Sequence, residues 1–226
     1  TITVAGCDSG DDAPRTVMLS GTAYGFNTPN PVAGAVIRIV EAPELEATTN
    51  AEGEWSLEVP ADAEATPWIT HADFVTMHLQ TFDLGHTDLE RVYFQMVTPE
   101  VFELLSAVLE ITPDPTRCQI ASTVSEKAVQ TMTFAEFKAH GAHGVGGATV
   151  ATTPASVEVV YFNESVIPQR NLTETTRDGG VVWANVPPGR YTLHATHPDK
   201  TFADAVVTCE AGRFVNANPP QGMREL

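Results

Sequence analysis

The chain has 226 residues, 42% hydrophobic and 8% aromatic, enough for one large domain or two small ones with a real core. Its 12 Lys and Arg against 29 Asp and Glu leave a net charge of -17. That balance excludes a generic nucleic-acid binder and a polybasic lipid-binding surface, because both need a cationic face. No apolar run approaches the roughly 18 residues that a membrane-spanning helix requires.

The first segment is Val4-Ala5-Gly6-Cys7, followed by the acidic stretch from Asp8 to Pro14. It resembles the lipobox of bacterial lipoproteins, whose Cys sulfur receives a diacylglyceryl group. The resemblance implies lipidation at Cys7 and an exported protein of the bacterial cell envelope, periplasmic or surface-exposed, that meets the membrane by its lipid anchor only. Residues 1–15 then form a lipobox remnant and an acidic tether. The alternative is a frayed terminus with an incidental Cys. With Cys7 assigned to lipid, Cys118 and Cys209 remain as an even pair, and an oxidising compartment favours a disulfide between them over two buried thiols.

Short β-rich runs between turn signals follow at 16–24, 35–40, 45–49, 55–59, 68–71 and 78–82, with a candidate last strand at 89–97. This spacing predicts a β-sandwich over 16–97. A helix is predicted over 99–110: Thr98 is an N-cap candidate, Pro99 takes the first helical position, and Glu100 sits at the positive end of the dipole. Val101, Phe102, Leu105, Val108 and Leu109 recur at helical spacing, and Thr112-Pro113-Asp114-Pro115 ends the run. Residues 98–116 thus read as a helical connector whose apolar stripe buries between two β segments. Strands resume at 118–124, 148–152, 157–162, 181–183, 191–195 and 205–209, giving a second sandwich over 117–226, with a C-terminal tail from Asn216 that has few apolar anchors.

The halves repeat. Thr48-Thr49 through Gly53 to Val59-Pro60 can be laid on Thr175-Thr176 through Gly180 to Val186-Pro187, and Gly34-Ala35 echoes Gly147-Ala148. Asp178-Gly179-Gly180, followed by Asn185-Val186-Pro187-Pro188-Gly189-Arg190-Tyr191, is similar to the carboxypeptidase regulatory-like family. That resemblance is good over about 117–215 and weaker in the first half, which has Ala61-Asp62-Ala63 after Val59-Pro60. It implies an all-β chain of two tandem transthyretin-like β-sandwiches joined by a short helix. The motif's physics is structural: Asp-Gly supplies a turn with positive φ, Pro-Pro-Gly reverses the chain, and Tyr191 buries its ring while its hydroxyl finds a partner.

No motif pairs a nucleophile with a base, and no glycine-rich phosphate loop precedes a helix. The chain therefore reads as a non-enzyme without a resident cofactor. His71, His78 and His86 fall close together with Asp73, Asp83 and Asp88, and neutral imidazoles at one sheet edge could hold a divalent metal. The competing reading is solvated residues on strand ends. His140 and His143 sit in a Gly-rich segment that reads as flexible surface. Trp55 and Trp183 lie on apolar strands and read as core rather than as a sugar-stacking platform. Three functional readings follow: a non-catalytic exported accessory or binding module for a protein or glycan partner; a structural subunit of an extracellular or membrane-associated assembly, packing against its own copies; and a metal-binding protein using the His71–His86 cluster. The first fits the motifs best.

Overall fold

The computed structural model describes residues 15–26, 28 and 30–226. The first half contributes β1 (Thr16–Gly25), β2 (Val36–Ile39), β3 (Glu46–Thr48), β4 (Glu54–Pro60), β5 (Glu64–Ala65), β6 (Pro67–His71), β7 (Phe74–His78), β8 (Phe82–Asp83) and β9 (Phe94–Met96). Helix α1 (Pro99–Val108) follows. The second half contributes β10 (Cys118–Ser125), a 3-10 turn (Lys127–Thr131), α2 (Phe134–Ala139), β11 (Thr149–Thr153), β12 (Val159–Phe162), β13 (Pro168–Gln169), β14 (Gly180–Val186), β15 (Gly189–Thr196), β16 (Ala205–Cys209), β17 (Phe214–Ala217) and β18 (Met223–Arg224).

The chain is all-β, two sandwiches joined by a short helix. In the first, β4-β1-β9 faces β3-β2-β6-β7; in the second, β13-β12-β14-β10-β17 faces β11-β15-β16. Each encloses its own core. Leu19, Ile37, Ile69 and Phe94 are fully buried in one, and Ile120, Trp183, Leu193 and Val207 in the other. Strict alternation builds these cores: β4 reads exposed-buried throughout, with Trp55, Leu57 and Val59 inward. Trp55 and Trp183 are therefore both core residues.

The sandwiches are not strung as separate beads. Strand β17 pairs in parallel with β7, Phe214 opposite Met77 and Val215 opposite His78, so one ten-stranded sheet runs through both halves. Three backbone or amide contacts add to this seam. Thr81 N donates to Val206 O at 2.8 Å, Gly222 N to Gln80 Oε1 at 2.8 Å, and Asn218 Nδ2 to Tyr93 O at 3.0 Å. Arg190 on β15 also pairs with Glu64 on β5. The segment from Asn216, expected to have few apolar anchors, adds to the seam through Asn218 and Gly222, and its Ala217 and Met223 are buried. Two other expectations shift. The strand expected at 78–82 lies at 74–78, because the chain reverses over Ala72-Asp73 and sets Phe74 opposite His71. Within 89–97 only Phe94–Met96 is strand, and Leu89 makes a single bridge to Leu19.

The internal repeat is physical. Thr49 Oγ1 accepts from Ala35 N at 2.9 Å, and Thr175 Oγ1 accepts from Ala148 N at 2.9 Å. Ala23 N donates to Gly53 O and Val124 N to Gly179 O. Gly53 and Gly179 have φ of 74° and 73°, the left-handed region that favours glycine. The true equivalences are therefore Thr49 with Thr175 and Gly53 with Gly179, one residue away from the sequence-based register. The two registers agree again at Val59 and Val186, because a bulge lies at Asn185, whose φ is 54°. In the second half the expected motif contacts form: Gly180 N donates to Asp178 Oδ2 at 3.1 Å, and the buried Tyr191 donates its hydroxyl to Pro187 O at 2.9 Å.

Candidate functional site

The second sandwich's larger sheet has an outer face that is itself apolar. On β10 the residues alternate, Ile120, Ser122 and Val124 inward and Ala121 and Thr123 outward. By the same parity β12 and β14 turn Val160, Phe162 and Val182 outward, while Tyr161, Val181 and Trp183 enter the core. Helix α1 lies on this face, packing Leu105 and Leu109 with Val160, Phe162 and Val182. Phe102 meets Phe214 of the seam strand edge-on at 5.7 Å. The Thr98 side chain caps α1 by accepting from Val101 N. The chain leaving the helix is pinned to the bulge: Asn185 Oδ1 accepts from Asp114 N, and its amide donates to Thr112 O. Of the expected stripe, Phe102, Leu105 and Leu109 thus pack against the second sandwich and the seam, whereas Val108 stays exposed.

The opposite wall is α2, which the sequence reading missed. Thr133 and Glu136 form a reciprocal capping box. Phe137 is buried among Tyr24 and Tyr93, with centroids 6.4 and 5.1 Å away. Burial and the neighbouring Tyr93 push the Tyr24 phenol pKa up. His143 stacks on Phe137 at 3.9 Å with the planes 3° apart, its Nε2 2.6 Å from Phe137 O. Burial lowers the His143 pKa, opposed by that carbonyl contact. His140 pairs with Glu126. His140, Gly141 and Ala142 thus lie at the surface, and the His143 ring packs against the end of α2.

Between α1, α2 and the sheet lies a cleft of about 370 Å³. Phe102, Leu105 and Phe137 line its sides, and Ala121, Phe162 and Val182 its floor. Apolar area predominates in the lining, and Gln95, Gln119, Thr123, Lys138, Asp178 and Asn216 add polar groups. Among the described residues its one carboxylate is Asp178, which reaches the cleft because Gly180 lacks a side chain. A Cβ there would crowd Asp178 Oδ2 and approach the Phe162 ring at 3.2 Å. Burial pushes the Asp178 pKa up to about 6, against the hydrogen bond from Gly180 N that lowers it. A raised carboxyl pKa favours the fold below the ordinary value of 3.8, and this contribution is lost as pH rises through about 6. Asp178→Asn keeps an acceptor for Gly180 and removes the charge. It is expected to stabilise the protein by about 2 kcal/mol at pH 7.5 and by almost nothing at pH 4. Urea unfolding of both proteins at the two pH values checks this, and equal stabilities at pH 7.5 would show that the carboxylate carries no such cost.

The expected site residues separate. Cys7 lies outside the described residues. Cys118 and Cys209 are joined in a disulfide. His71, His78 and His86 do not converge. His71 is at the turn end of the β6–β7 hairpin beside Asp73, whereas His78 is at its far end opposite Trp68. His86 sits beside Asp62 at 3.3 Å. The sequence reading placed the turn across 72–77, which would have brought the first two together; the tighter turn parts them. Among the described residues no group of three or more His, Cys, Asp or Glu side chains is placed to hold a metal ion. A different trio does meet. His194 lies 2.8 Å from Asp204 Oδ1 and 2.9 Å from Thr153 Oγ1. It lines none of the described cavities, and its contact with Thr153 ties β15 to β11.

No protein-family model matches the chain, and no curated protein matches it. Similar solved structures include the TIE protein of Bacillus anthracis, at 12% identity over 92% of this chain and 34% of that one, with a TM-score of 0.32. A minor pilin of Streptococcus agalactiae matches at 12% identity over 93% of this chain and 96% of that one, TM-score 0.31. A cohesin–X-dockerin complex of Acetivibrio cellulolyticus matches at 15% identity over 54% and 83%, TM-score 0.32. This chain spans about a third of the Bacillus anthracis protein's length. All three scores fall under 0.5, so the reading of the site rests on its own geometry.

Proposed function

We propose that this chain is a non-catalytic, exported binding module of the carboxypeptidase regulatory-like type, and that a protein partner docks in the cleft between α1, α2 and the shared sheet. The observation that carries this reading is an apolar cleft whose wall helix and rim loop also carry exposed apolar residues. Leu104 and Val108 on α1 are 62% and 42% exposed, one turn apart and next in sequence to the cleft residues Leu105 and Leu109. Ile167 is exposed beside the cleft residue Val166. Apolar surface arranged this way is costly to leave in water and marks an interaction site. A glycan is the poorer fit, because the exposed Leu104, Val108 and Ile167 offer sugar hydroxyls no hydrogen-bonding group. The exported address is supported by the lipobox-like Val4-Ala5-Gly6-Cys7 and by the disulfide, which persists under oxidising conditions. The domain division at 16–97, 98–116 and 117–226 belongs to the same proposal.

The test uses the neutral apolar dye Nile red as a probe of the cleft. Wild-type protein is expected to raise its fluorescence saturably. Ala121→Trp places an indole on the cleft floor and is expected to weaken that binding at least about tenfold, with the far-UV circular dichroism unchanged. Dye uptake that is absent, or unchanged by Ala121→Trp, overturns the assignment. Solution size separates a module that docks on another protein from a subunit that packs against its own copies: the proposal expects a monomer.

A further inference from the structure

This inference rests on the cleft being the docking site and concerns what enters its polar end. Asp178 is half-buried against Phe162, and its observed partner is the backbone N–H of Gly180, 3.1 Å from Oδ2. None of the ion pairs among the described residues includes it. Lys138 also lines the cleft, but its Nζ is held over the Phe134 ring at 4.8 Å. A carboxylate in hydrocarbon surroundings is stabilised chiefly by an opposite charge brought to it. The whole chain carries -17, so a cationic partner is also drawn to it from a distance.

We propose that the partner inserts a lysine side chain into the cleft, its ammonium on Asp178 and its methylene stem against the apolar lining. Lysine fits better than arginine. One carboxylate oxygen is already held in the turn by Gly180, which breaks up the two-oxygen face that a guanidinium engages as a fork. A compact ammonium needs only one acceptor. The ring of Phe162, in the same lining, adds a favourable surface for a cation. A four-carbon stem also suits a lining that is hydrocarbon below the charged tip.

The experiment compares three peptides, acetyl-Leu-Lys-Leu-Phe-amide and its norleucine and glutamate counterparts at the Lys position, with the amide resonances of Gly179 and Gly180 as reporters. The lysine peptide is expected to bind at least about tenfold more tightly than the norleucine peptide. The glutamate peptide is expected to bind most weakly. Bound lysine peptide is also expected to lower the Asp178 carboxyl pKa, read from its side-chain carbon shift. Asp178→Asn is expected to erase the lysine preference while Nile red still enters the cleft, which shows that the variant is folded and the cleft open. Equal binding of the lysine and norleucine peptides, with Nile red still bound, overturns the lysine assignment and leaves the docking reading standing. Failure of both the peptides and the dye overturns the two together. A free alkylammonium such as hexylammonium that binds more tightly than the peptide overturns the protein source in favour of a small amine.

Discussion

Replacing Cys118 and Cys209 together by alanine is expected to lower the unfolding free energy by about 4–5 kcal/mol, a large share of the stability of a chain this size. The bridge links the first residue of β10 to the last residue of β16, strands in opposed sheets of the second sandwich, across a sequence separation of 91. Reduction therefore frees a long loop in the unfolded chain, and loop-closure entropy grows with its length. Both sulfurs are buried, so alanine at each site also leaves unfilled space in the core. The loss should not be confined to the second sandwich. Strand β17 sits beside β10 and also pairs with β7, so loosening β10 weakens the seam. Urea unfolding of wild-type and double-alanine proteins checks this, with alkylation of the native wild type, read peptide by peptide, to show that neither Cys118 nor Cys209 is free. A loss of less than about 1 kcal/mol would mean that the unfolded chain is already compact around these two residues.

Much of this fold is legible in the sequence because period-two alternation and turn residues are local signals. Trp55-Ser56-Leu57-Glu58-Val59 states its own register, and Thr98-Pro99-Glu100 states where a helix starts. The seam is not legible in the same way. Phe214-Val215-Asn216-Ala217 is four residues with no alternation, and its partners lie far away in sequence at 77–78 and 119–122. Nothing local distinguishes it from a tail. Helix α2 was missed because six residues are too few for helical periodicity to show. The capping signal was present nonetheless, in Thr133 followed three residues later by Glu136. The cleft also left a trace. Val159-Val160-Tyr161-Phe162 and Val181-Val182-Trp183 are continuously apolar, so both faces of those strands must be covered. One face enters the core and the other forms the cleft floor, and the sequence reading had assigned only the first. The separation of the histidines was hidden for a related reason. A turn of two residues and one of six are both compatible with Ala72-Asp73-Phe74-Val75-Thr76-Met77, and only pairing of Phe74 against His71 chooses between them.

Acidification is expected to weaken the protein through His78, by about 3 kcal/mol between pH 7 and pH 4. His78 ends β7 at the seam, opposite Val215, and is only 8% exposed. Its ring stacks on Trp68 at 5.7 Å with the planes 11° apart, and its Nδ1 has no hydrogen-bond partner. Burial first, and then the charge of Arg213, lower its pKa from 6.5 to about 4. Arg213 is itself paired with Glu210, and Arg38 lies over Trp68 at 5.6 Å. The Arg213 charge therefore opposes a positive charge on His78. A lowered histidine pKa gives a contribution fully present above 6.5 and lost as pH falls through about 4, because the unfolded chain takes up the proton first. Asp178 titrates in the opposite sense over the same window, so the wild-type profile alone hides both effects. The difference between wild type and His78→Phe isolates one of them. Phenylalanine keeps a ring on Trp68 and cannot bind a proton. Relative to this variant, the wild type is expected to lose about 3 kcal/mol on going from pH 7 to pH 4, read by urea unfolding at each pH. Parallel losses in the two proteins would place the acid sensitivity in the carboxylates instead.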